Sequence, residues 1–137
     1  SLETEPWQLH SDTLVIVRLE KIADRQKRIT RYLSAANFDR STLAELDRVH
    51  TDISESYNDV MKAYYTKDKQ IAFHVDVTNK QRTEPCNKIL ENYTMLHSNS
   101  KNKTNNSNLV VVAKVIENLK ATAAEIRNLA RTVMCYE

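Results

Sequence analysis

Glycine is absent from all 137 residues, where an average composition would supply roughly nine or ten. Glycine serves positive-φ turns and close approach of backbone to ligand. Its absence excludes phosphate-cradling loops, the dinucleotide fingerprint, the strained turn that carries a serine nucleophile, and the EF-hand loop. Tight primed hairpin turns lose their usual residue as well. No apolar run approaches the ~20 residues that span a bilayer. A net charge of +2 is too small to argue for nucleic acid or an anionic membrane. The 41% hydrophobic and 28% charged residues are ordinary for a globular protein. The length suits one domain, 1–137, of modest stability. Such a chain is built for helices.

Periodicity supports that reading. Residues 1–11, with Pro6 and Trp7, read as an irregular lead-in, and Ser11 or Asp12 as a cap. Val15, Leu19, Ile22, Gln26, Ile29, Leu33 and Ala36 then recur at four- and three-residue steps, one face of a long helix. After a break at 37–41, Thr42 and Glu45 read as a capping box. Leu43, Leu46, His50, Ile53, Tyr57, Val60 and Tyr64 mark a second helix. The short turn makes the pair antiparallel, with Ile29 opposite Leu46, Ile22 opposite Ile53 and Val15 opposite Val60. Residues 67–84 are ambiguous: Ile71, Phe73, Val75 and Val77 alternate like a strand, yet Ile71 and Val75 continue the helical face. The favoured reading extends the second helix toward residue 75, followed by a polar loop.

Pro85 suits the first position of a third helix, with Cys86, Ile89, Leu90, Tyr93 and Leu96 inside. Residues 98–108 are all Ser, Asn, Lys or Thr, a flexible loop. A fourth helix follows, capped by Ser107 or Asn108 and lined by Val112, Ile116, Leu119, Ala123, Ile126, Ala130 and Val133. The expected fold is therefore all-α, an antiparallel bundle of about four helices. Cys86 would begin the third helix and Cys135 end the fourth. If those helices are antiparallel, a disulfide staples them, closing a loop of about 50 residues at roughly 4 kcal/mol and implying an oxidising, extracellular setting. The alternative is two unrelated buried thiols. The start at Ser1 without a leader also fits a processed, secreted chain. Asn92, Asn102 and Asn105 stand in N-glycosylation sequons.

Chemistry is hard to find. His10, His50, His74 and His97 form neither a His-x-x-x-His nor a Glu-x-x-His pair, so zinc and di-iron sites lack ligands. No CxxC spacing supports a redox or zinc motif. Asp47 lies one turn before His50 like a base with its orienting carboxylate, but no nucleophile or oxyanion hole accompanies them. No enzyme, cofactor or metal is expected. His50 instead falls level with Gln26, the polar residue on the first helix's inner face, and the two suit a hydrogen-bonded layer that fixes register. Tyr57 and Tyr64 read as core with the hydroxyl reaching water. Arg25, Lys27, Arg28 and Arg31 form the densest one-sign run and the physical candidate for docking an acidic partner. Trp7 either staples the tail to the bundle or anchors an interface.

An acidic lead-in to a tryptophan (Glu3-Thr4-Glu5-Pro6-Trp7-Gln8-Leu9-His10), uninterrupted helices, an Asn-rich loop and a cysteine two residues from the end (Met134-Cys135-Tyr136-Glu137) together resemble the anopheline mosquito salivary proteins of the albicin type. The resemblance spans the whole chain and rests on architecture and composition, with no family binding motif to transfer. It implies a helical bundle that inhibits the alternative pathway of complement by binding the convertase built on activated component three, a host plasma protein. The alternatives are a four-helix extracellular signalling ligand, which the short 37–41 connection disfavours, and an apolar-ligand carrier. The carrier needs a cavity, where the seams predict close packing.

Overall fold

The computed structural model describes residues 6–97 and 103–135, with the side chains of residues 7, 8 and 103–106 outside the description. Four helices follow in order: α1 (Pro6–Ala35), α2 (Arg40–Thr66), α3 (Lys69–His97) and α4 (Lys103–Met134). The all-α expectation therefore stands. Several boundaries do not.

Helix α1 starts at Pro6, within the expected lead-in. Proline presets the helical φ at a position whose N–H is unused in any case, and no breaker separates it from Ser11. Helix α2 is capped by Asp39, not Thr42. The Asp39 carboxylate accepts from the Thr42 backbone N–H at 3.3 Å and from its hydroxyl at 2.6 Å. Those bonds, the hydroxyl's first, hold the Asp39 carboxyl below its usual pKa. A depressed pKa stabilises the fold above the unfolded value, near 4, and loses that contribution as pH falls through the folded one. Asp39→Ala should cost about 1 kcal/mol at neutral pH. In thermal melts the gap to the parent should close below about pH 4.

The next helix break falls at Lys67-Asp68, not beyond residue 75. Lys67 takes left-handed φ 57 and ψ 36, the conformation glycine normally supplies at a helix end. The Asp68 N–H bonds back to the Ala63 carbonyl at 3.0 Å. The Asp68 carboxylate then caps α3 by accepting from the N–H groups of Gln70 and Ile71 at 3.0 and 3.2 Å. The expected polar loop before residue 85 is thus helix, and Pro85 lies inside α3. Pro85 is exposed, so water can reach the Gln81 carbonyl that it leaves without its usual donor.

The stripe that α3 buries includes Ala72, Val75, Asn79, Cys86, Ile89 and Tyr93. Half-buried Arg82 extends it, donating to the Thr78 hydroxyl at 2.7 Å and to the Val75 carbonyl. Desolvation lowers the Arg82 pKa, opposed by Asp59 and Asp52.

Helix α4 is the centre of the fold: it packs against α1, α2 and α3, whereas α1 packs closely on α4 alone. That position explains why α4 buries Val115 and Leu129 beyond its expected inner face. Of the expected loop, residues 103–108 belong to α4, and 98–102 lie outside the described residues. Asn108 is a buried helical residue whose amide donates to the Asn37 carbonyl at 3.1 Å. Cross-helix bonds fix the registers. Arg18 pairs with Glu125 at 3.0 Å and Arg25 donates to Asn118 at 3.3 Å, so α1 and α4 are antiparallel. Lys120 bonds Asn87, and Arg131 bonds Asp76 at 3.1 Å, so α3 and α4 are as well.

That last register removes the predicted disulfide. Cys86 sits mid-helix beside the level of Lys120, while Cys135 follows the end of α4, near the level of Ala72. About fourteen residues of helical rise, roughly 20 Å, separate the two, and both thiols are free. The disulfide argument assumed that α3 begins at Pro85, and the earlier start carries Cys86 into the interior. Burial pushes the Cys86 thiol above its usual pKa, partly opposed by Lys120. A thiol reagent should therefore titrate Cys135 alone in native protein and both cysteines in denaturant, because only an accessible thiolate reacts.

Candidate functional site

The most distinctive feature lies between α1 and α2. The two helices are antiparallel in the predicted register, yet among the described residues no Cα of α1 comes within 8 Å of one of α2. Helix α2 turns a stripe of Leu46, Val49, Ile53, Ser56, Val60 and Ala63 into the core. This stripe is rotated from the predicted one, so His50, Tyr57 and Tyr64 are only half-buried and Leu43 is exposed. A groove opens between α1 and α2, floored by α4.

Two cavities occupy it. The larger, about 520 Å³, is walled by Ile29 and Leu33 of α1 and Leu43 and Leu46 of α2, with Val115 and Leu119 of α4 beneath. The smaller, about 310 Å³, is lined by Leu19, Ile22, Ile53 and Tyr57, with Ile126 beneath. The expectation of close packing throughout is therefore corrected for this seam. Volumes of this order match small-molecule sites.

A polar bridge divides the groove. His50 Nε2 lies 2.7 Å from Gln26 Oε1, and Gln26 Nε2 donates to Thr122 Oγ1 at 3.2 Å. The Thr122 hydroxyl donates to the Asn118 carbonyl at 2.8 Å. Its one proton committed, Thr122 can only accept from Gln26. Gln26 must then face Thr122 with its amide nitrogen and His50 with its oxygen, so His50 Nε2 carries the proton. Toward the other end of the groove, the Tyr64 hydroxyl donates to Asp12 at 2.9 Å.

Thr122 and Asn118 escaped the sequence reading. They immediately precede Leu119 and Ala123 of the expected inner face, and their i,i+4 spacing, which puts both on one side of α4, was the available signal.

The basic run does not form one face. Arg25 is half-buried against Asn118. Arg28 pairs with Asp24 at 3.1 Å on the surface. Lys27 and Arg31 are exposed; Lys27 lies far around the helix from Arg25, as two residues' separation requires. The Trp7 side chain, Asn102 and the Asn105 side chain lie outside the described residues. Asn92 is exposed on α3. His97 lies against Tyr93, ring centroids 4.3 Å apart, while His10 is exposed on α1 and His74 is exposed near the other end of α3.

Among the described residues, no group of three His, Cys, Asp or Glu side chains could hold a metal ion, and no helix is long and apolar enough to cross a membrane. No family model, curated protein or solved structure matches the chain.

Proposed function

We propose that this chain is a secreted, non-enzymatic binding protein that inhibits a host defence protein, its target being the alternative-pathway complement convertase. The observation that supports docking of a macromolecule is the outer surface of α1. Leu9 and Ile16 are 60% and 56% exposed there. Lys27 and Arg31 stand exposed further along the same helix. Exposed apolar side chains together with unburied charge along one helix are the ordinary composition of a protein-binding surface. The choice of target comes from the resemblance of the sequence to albicin-type salivary proteins, carried by the tryptophan lead-in, the Asn-rich stretch and the cysteine near the end.

The test is lysis of erythrocytes by the alternative pathway in vertebrate serum, alongside direct binding to assembled convertase. Inhibition with saturable binding is the expected outcome. No inhibition and no binding at micromolar protein would remove the proposal. Lys27, Arg28 and Arg31 changed together to Glu should slow association with little change in stability, since all three are surface groups; Arg25 is left intact because it holds Asn118.

A further inference from the structure

We propose that the larger cavity of the α1–α2 groove is a binding site for a small amphiphilic amine, its apolar body among the aliphatic side chains and its protonated nitrogen at Asp47. The proposal is independent of the macromolecular target.

Three observations lead there. First, the cavity is built into the fold: α1 and α2 are held apart while the Gln26–His50 bond closes one end. A volume of about 520 Å³ accommodates a ligand larger than a solvent molecule. Second, Asp47 is the one charged residue among those lining it, and a cation near a low-dielectric wall is attracted more strongly than in bulk water. Third, the remaining hydrogen-bonding capacity has a sign. The Thr30 hydroxyl proton is committed to the Gln26 carbonyl at 3.1 Å. The relay through Thr122 commits the Nε2 proton of His50 to Gln26. Apart from one amide proton of Gln26 and the Nδ1 side of His50, the groups left to meet a ligand are acceptors: the Asp47 carboxylate and the Thr30 oxygen. A ligand rich in donors and positively charged satisfies them, whereas a carboxylate meets repulsion from Asp47.

Titration calorimetry with three eight-carbon probes tests this: octylamine, 1-octanol and octanoate. Octylamine should bind saturably at one site. Octanol should bind roughly tenfold more weakly, as the loss of a charge-assisted contact implies, and octanoate should not bind measurably. Asp47→Asn, a change at an exposed residue, should weaken octylamine about tenfold and leave octanol unaltered. Ala44→Phe, at the exposed lip of the cavity, should block both. The proposal fails if octylamine shows no saturable binding at millimolar concentration, or if octanoate or octanol binds as tightly as octylamine. It fails equally if Asp47→Asn leaves octylamine affinity unchanged or a folded Ala44→Phe protein still binds it.

Discussion

Leu129→Ala should destabilise the protein by about 3–4 kcal/mol, read as a fall in the midpoint of denaturant unfolding at constant slope. Leu129 is fully buried on the one helix that touches all three others. Truncation there removes apolar burial and leaves a cavity that three packed neighbours cannot readily fill. Total stability for a domain of this size is roughly 5–15 kcal/mol, so the loss is a large share of it. Leu43→Ala supplies the contrast. Leu43 is 42% exposed at the rim of the groove, and its truncation should cost under about 1 kcal/mol. Equal costs at the two sites would contradict a core centred on α4.

Gln26→Leu should cost about 1–2 kcal/mol, because it strips His50 of its acceptor and Thr122 of a donor in a half-buried setting. Replacing both Gln26 and His50 by leucine should restore stability to the parent value or above it, since both partners of the bond then go and apolar side chains take their place. The double-mutant cycle reads the coupling directly. A double variant less stable than Gln26→Leu alone would mean that the polar bridge has no role as a matched pair.

The antiparallel register of α1 and α2 was legible in the sequence because their stripes hold the 3.6-residue period without interruption from Val15 to Ala36 and from Leu43 to Tyr64. The inner face of α4 was legible for the same reason: every residue predicted to lie there is buried. Helix α3 was not. Its buried stripe carries Asn79 and half-buried Arg82 at the middle, and two polar members in succession made one long helix look like a loop between two short ones. The break that does exist rests on Lys67 in a left-handed conformation, which glycine would announce and lysine does not. Misplacing that boundary propagated to the cysteines, whose supposed proximity depended on it.

The groove escaped for a different reason. Periodicity reports which residues face inward, but not how far apart two facing helices settle. That distance is set here by α2 turning toward α3 and α4, an effect of three-body packing that no single stripe encodes. The polar bridge was half legible: Gln26 and His50 share a level on the two stripes, whereas Thr122 reaches them from a helix remote in sequence.

Helix α1 packs closely on α4 alone and meets α2 only across the groove, and this has a kinetic corollary. Its amides should exchange with deuterium ahead of those in the middle of α2, α3 and α4, because the free energy of opening one element scales with the packed area it must give up. Transient release of this first helix should thus be the cheapest opening available below the cooperative transition of the whole bundle.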